Sequence, residues 1–185
     1  MPFRLDNRID KILKYKSFIS GVTVSGGECT TQMDYLINLV KELKNNGLNT
    51  LVDTNAYFIL ENAEELIENA EGFMIDFKMK DEEKHIELTG LDNRIIIHNI
   101  KELLKLGKIY ELRTVVYEES AEIEETIKYI NDLVEKLKSP VRYKIIKYRD
   151  YGVRDNMRIF ATPSDEYIEK LESLVTSEYI EEITV

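Results

Sequence analysis

Val22-Thr23-Val24-Ser25-Gly26-Gly27-Glu28-Cys29-Thr30 is a short β-branched run that breaks into a two-glycine turn. Behind it Met33, Leu36, Ile37, Val40 and Leu43 recur at steps of three and four, the spacing of a helix with one apolar face. Working outward, the same unit repeats. Further β-rich runs are Thr50 to Thr54, Phe73 to Phe77, Leu112 to Val116, Tyr143 to Tyr148 and Glu182 to Val185, and a second clear helical period is Ile123, Ile127, Ile130, Val134 and Leu137. Gly47, Gly72, Gly90 and Gly107 each follow a helical pattern, where a left-handed residue ends a helix. Ser164 in Pro163-Ser164-Asp165-Glu166 reads as the N-cap of the last helix, with acids in its positive first turn. Strands separated by helices form a parallel sheet, either open and doubly wound or a barrel. Both architectures carry ligands at the carboxyl ends of their strands.

The chain has 185 residues, enough for one domain, and its 43% apolar content fills a sizeable core. The net charge is −10 and the basic residues are scattered, which argues against general affinity for nucleic acid or an anionic membrane. Cys29 is the single cysteine, and His85 and His98 are the two histidines, so these residues alone build neither a zinc nor an iron-sulfur site. His85 reads as exposed on the acidic helix Asp81 to Leu88, and His98 as part of the first turns of another helix. No apolar run approaches the roughly 20 residues of a membrane span. The start, Met1 to Asp6, lacks a signal-peptide core, so the protein reads as cytoplasmic.

The residues just after each strand hold the chemistry. Gly26 and Gly27 let backbone approach a ligand, with a helix N-terminus behind them that favours anionic groups; the alternative is a tight turn with Glu28 solvated. Asp53-Thr54-Asn55 offers oxygen ligands for a polar molecule or a hard cation, or else an Asx turn. Asp76 and Lys78 are two apart and share a face, as a structural ion pair or as partners of a ligand. Arg113, in an otherwise apolar strand, needs an anion, which either Glu111 or a ligand supplies. The cations of Tyr143 to Arg149 read as the solvent half of an alternating edge strand. Together these groups outline a pocket for a zwitterionic small molecule.

Taken in order, Ser25-Gly26-Gly27-Glu28, Asp53-Thr54-Asn55, Asp76-Phe77-Lys78 and Arg113-Thr114-Val115-Val116 resemble the glycyl-radical-enzyme activating enzymes of the radical S-adenosylmethionine (SAM) superfamily. These are typified by pyruvate formate-lyase activase. Arg142 to Arg149 and Thr162 to Tyr167 look closest to the YjjW subgroup. The resemblance runs from about Phe18 to the C-terminus and implies an α/β fold, an incomplete TIM-type barrel with SAM lying across the strand ends. It implies that Gly26, Gly27 and Glu28 receive the amino group of SAM. Asp76 and Lys78 would contact its methionyl end and ribose, while Arg113, Val115 and Arg149 would line the same cofactor. Asp53, Thr54, Asp76 and the carbonyl of Met74 match a monovalent-cation site seen in some members. In the family a reduced 4Fe-4S cluster, chelated by the amino and carboxylate groups of SAM, cleaves it to methionine and a 5′-deoxyadenosyl radical. That radical takes a hydrogen from a glycine of the partner glycyl radical enzyme, and a flavodoxin or ferredoxin serves as reductant.

Three departures accompany the resemblance. The CxxxCxxC cluster loop is absent and Cys29 is no substitute, which implies a single partial-barrel domain over residues 1–185 lacking the first strand and cluster segment. Ala56 stands where a glycine usually follows Asp-Thr-Asn, and Arg149 stands where a histidine near the adenosyl group is usual. One reading is therefore the SAM-binding body of an activase, inactive alone, whose cysteines lie upstream in the intact gene. A second is a non-catalytic module that binds SAM or a partner protein, and a third is an unrelated barrel that binds phosphate at Gly26-Gly27. The long loop Arg149 to Ala161 reads as a cover for the site, a partner contact or a plain connection.

Overall fold

The computed structural model describes residues 5–149 and 162–184, so the loop expected to cover the site lies, beyond Arg149, outside the described residues. Six strands form one sheet: β1 Gly21–Val24, β2 Asn49–Thr54, β3 Gly72–Asp76, β4 Ile109–Val116, β5 Val141–Lys147 and β6 Ile180–Thr184. Every neighbouring pair is parallel, and the spatial order is β1-β2-β3-β4-β5-β6. A doubly wound sheet reverses its strand order at a switch point; this one never does, which is the winding of a barrel left open. The helices are α1 Leu5–Leu13, α2 Met33–Asn45, α3 Glu64–Asn69, α4 Glu82–Thr89, α5 Arg94–Lys105, α6 Ala121–Leu137 and α7 Asp165–Glu172.

Alternation along the strands separates two faces. Val52, Phe73, Ile75, Leu112, Tyr143 and Ile145 are buried in one cluster with Leu36 and Val40 of α2, Leu66 of α3, Ile100 and Leu103 of α5, and Ile127 and Val134 of α6. The opposite face carries Leu51, Asp53, Met74, Asp76, Arg113, Val115, Lys144 and Ile146, all only partly buried. Lys144 therefore sits on the open face as the alternation implies, but β5 lies between β4 and β6 and is not an edge. A register shift between β3 and β4 leaves Tyr110 extra, and beyond it Arg113 falls opposite Asp76. That one bulged residue sets which side chains meet at the site.

Caps form where turn chemistry asks for them. Ser120 and Ser164 accept from the amides of Ile123 and Tyr167, and Asp81 accepts from that of Lys84. Gly47, Gly90 and Gly107 adopt positive φ after their helices, as their placement implies. Gly72 does not: it opens β3, and α3 ends instead on Ala70 in extended backbone. A β-carbon at Gly72 would lie 3.1 Å from Cβ of Tyr110 and 3.2 Å from the carbonyl oxygen of Lys108, so close packing against the bulge fixes glycine there. His85 is also not exposed. It is 2% accessible, and its Nδ1 lies 2.8 Å from the carbonyl of Leu91, which turns the ring under the helix end.

Candidate functional site

The carboxyl ends of β1 to β5 enclose a cavity of about 450 Å³. Gly27, Glu28, Asp53, Thr54, Asp76, Lys78, Arg113 and Val115 line it, together with Ser25, Asn55 and Ile146. Most of the expected site residues thus meet in one place. Gly26 stands beside it in the same turn, with φ +112° against +52° for Gly27, and nothing lies within 4 Å of where either β-carbon would be. Both angles favour glycine, so the turn's shape depends on the pair. Arg149 lies two residues beyond the end of β5, exposed and off the lining, and Met74 sits on the open face below it.

The glycine turn differs from its expected chemistry. One amide behind it already has an anion, because the carboxylate of Glu28 accepts from the amide of Thr30 at 3.1 Å. The same carboxylate reaches across to the end of β2, taking the hydroxyl of Thr54 at 2.8 Å and the amide of Asn55 at 2.9 Å. Glu28 is therefore held by the protein's own donors, and a phosphate at this turn would meet its negative charge.

Arg113 pairs with neither Glu111 nor solvent. Its Nε donates to Asp76 at 2.7 Å and its Nη2 donates to Asp53. Burial, the largest single cause, works to lower the Arg113 pKa; the hydrogen bond it donates to Asp53 and the charges of both aspartates outweigh it and hold the pKa above its usual value. Lys78 Nζ stands 4.0 Å from Asp76, a loose pair in which both side chains are about one third exposed. Among the described residues, the charge between Asp53 and Asp76 is this guanidinium, at the place where the resemblance implies a cation shared with Thr54 and the Met74 carbonyl.

Behind the lining, Asn99 of α5 is fully buried and its Nδ2 donates to the carbonyls of Ala56 at 2.9 Å and Phe58 at 2.8 Å. It clamps the segment after Asp53-Thr54-Asn55, where Ala56 holds φ +58° with its methyl fully buried. The sequence assigns neither Asn99 nor Thr30 a role. An asparagine on the apolar stripe of Ile96, Ile100 and Leu103 was the available signal for the first.

Cys29 opens a short 3₁₀ turn, Cys29–Gln32, and its Sγ lies 3.3 Å from the carbonyl of Asp53. Burial first, then the neighbouring charge of Glu28, pushes its thiol up to about 11 from 9.0. Because the thiolate is the nucleophile, alkylation by iodoacetamide at pH 8 is expected to run about a hundredfold slower than for a free cysteine. A rate within threefold of the free thiol would contradict the burial. The linkage has the same sign: the folded thiol's pKa is raised, so its contribution to stability is complete below pH 9 and lost as pH rises toward about 11.

A sequence model described as a 4Fe-4S single cluster domain matches residues 2–97. The chain belongs to that family. It is 31% identical over 159 residues to the pyruvate formate-lyase-activating enzyme of Staphylococcus epidermidis, covering 80% of this chain and 63% of that protein. It is 31% identical over 170 residues to the trans-4-hydroxy-L-proline dehydratase activating enzyme of Clostridioides difficile, covering 86% and 56%. The chain thus spans under two thirds of the length of these relatives. A domain of pyruvate-formate lyase-activating enzyme from Bacteroides vulgatus shares its fold at TM-score 0.72 and 21% identity, covering 90% of this chain and 99% of that one. Streptococcus suis SuiB bound to S-adenosylmethionine does so at 0.77 and 19%, covering 98% and 43%. The resemblance to radical SAM activating enzymes and the incomplete-barrel fold are both borne out.

The family's description names a 4Fe-4S cluster, and SuiB is bound to S-adenosylmethionine. The two fare differently against these residues. Cysteine supplies the cluster's thiolates, and the sequence has one, with its thiol proton held and its Sγ turned to a carbonyl. No group of three or more histidine, cysteine or acidic side chains among the described residues suits a metal ion. These 185 residues therefore do not themselves hold the cluster. No described helix is long and apolar enough to cross a membrane.

Proposed function

We propose that the chain is the SAM-binding body of a glycyl-radical-enzyme activating enzyme. The observation that carries this is the charge balance of the cavity. Glu28, Asp53 and Asp76 set three carboxylates against the two cations Lys78 and Arg113, leaving one net negative charge with both signs present. An amino-acid zwitterion that bears an additional positive charge complements such a site, and SAM is one through its sulfonium. A phosphorylated metabolite does not. Lys78 and Arg113 would meet the carboxylate; the turn from Ser25 to Gly27, on the Glu28 side, would meet the ammonium; Val115 and Ile146 would give the apolar wall.

The protein's share is to bind and orient that cofactor and to exclude water from it. By the same reading the partner is a glycyl radical enzyme, the electron donor a flavodoxin or ferredoxin, and the setting the cytoplasm. Isothermal titration tests the binding: SAM is expected to bind, and S-adenosylhomocysteine, which lacks the sulfonium charge, more weakly. Absence of heat with SAM, or equal binding of inorganic phosphate, would overturn the reading. The single cysteine favours a second reading, a non-catalytic module with the same pocket. The two separate on whether a longer version carrying CxxxCxxC, reconstituted with iron and sulfide, releases methionine from SAM under anaerobic reduction.

A further inference from the structure

The carboxylate of Glu28 is held by the protein's own donors from two strand ends. Besides Thr54 and Asn55, it takes both the amide of Thr30 and its hydroxyl, the latter at 2.7 Å. Three of these four bonds converge on Oε1, and Oε2 accepts the fourth, from Asn55. Thr30 supplies two of the four, is 6% exposed and does not line the cavity.

We propose that Thr30 is a positioning residue for ligand binding. Through Glu28 it fastens the Ser25–Gly27 turn to the end of β2 and so fixes the backbone that faces the ligand. This rests on the SAM reading above for the identity of the ligand, though not for the fastening itself. The geometry supports it at both ends. Gly26 and Gly27 have no side chain to hold their own conformation, and Thr54, held by Glu28, accepts the amide of Ala56 at 3.0 Å. One carboxylate therefore ties the β1 turn to the β2 turn, with Thr30 as its buried anchor.

The test uses the full chain and two variants, Thr30→Val and Thr30→Ser, at a temperature where circular dichroism shows all three folded. Isothermal titration with SAM measures affinity, and NMR hydrogen exchange follows the Asn55 amide, whose partner is Glu28 rather than Thr30. Loss of one hydrogen bond to a charged group is expected to weaken SAM about tenfold in Thr30→Val and to speed Asn55 exchange about as much. Thr30→Ser, which keeps the hydroxyl, is expected to return both to within about twofold of the unchanged chain. Undiminished affinity in Thr30→Val overturns the proposal, and so does failure of Thr30→Ser to rescue, which would assign the effect to the methyl. If the unchanged chain takes up no SAM, the SAM reading fails and the fastening is decided by exchange alone: an Asn55 amide no faster in Thr30→Val would end it.

Discussion

Replacing Arg113 with methionine is expected to cost about 2–4 kcal/mol of stability and to weaken SAM binding at least about a hundredfold. The guanidinium is 13% exposed and is the shared partner of Asp53 and Asp76, themselves 25% and 34% exposed. Methionine keeps much of the stem's packing but leaves two half-buried carboxylates on one sheet face. Lys78 remains, 4.0 Å from Asp76. For a chain of this size the loss corresponds to roughly 5–15 °C in melting temperature. The cause can be isolated with the double variant Arg113→Met/Asp53→Asn, which removes one of the stranded charges and should recover about half the stability, with none of the affinity. Thermal unfolding within about 1 °C of the unchanged chain would show that the network is worth no more than an exposed ion pair.

Asn99→Leu should be the second severe change, at about 2–5 kcal/mol by denaturant unfolding. Leucine has the same branched outline, so the cost is the lost donor together with a methyl that cannot approach the two oxygens as closely as the amide does. The carbonyls of Ala56 and Phe58 would stay buried without their donor. Because these carbonyls belong to the segment leaving Asp53-Thr54-Asn55, SAM affinity should fall along with stability. The adjacent His98 is exposed on the same helix, and His98→Ala should change stability by no more than about 0.5 kcal/mol. Equal effects at the two positions would contradict the clamp.

Both sites show where sequence reading reaches and where it stops. The strands were legible because β-branched runs are short and end in Gly, Asp-Thr-Asn or Asp-Phe-Lys. The site was legible because a parallel sheet delivers those ends to one edge. The partners were not. Arg113 has Glu111 two residues away, yet it bonds to Asp53, sixty positions earlier, because the bulge at Tyr110 and two strand registers bring them together. His85 looked solvated on an acidic helix because the carbonyl that holds it comes from the turn beyond the helix. Gly72 follows a helix as a cap does, but its reason is a neighbour 38 positions on, Tyr110. Thr30 sits in a polar run where nothing local distinguishes it, since its value lies in a carboxylate that also spans to β2. Periodicity reports which face of an element is apolar; it carries no information about which polar group will stand opposite.

The unreversed strand order also bears on how the chain reaches this state. Each strand pairs with the one made just before it, and the register partners furthest apart in sequence, Val141 and Ile180, are 39 positions from each other. Closing entropy rises only with the logarithm of loop length, about 0.6 kcal/mol per doubling, so every step of assembly faces nearly the same cost. No strand has to be inserted between two that have already met. A chain emerging from the ribosome can therefore add one strand and one helix at a time to a growing edge, and the arginine that joins the polar ends of β2 and β3 arrives only with β4.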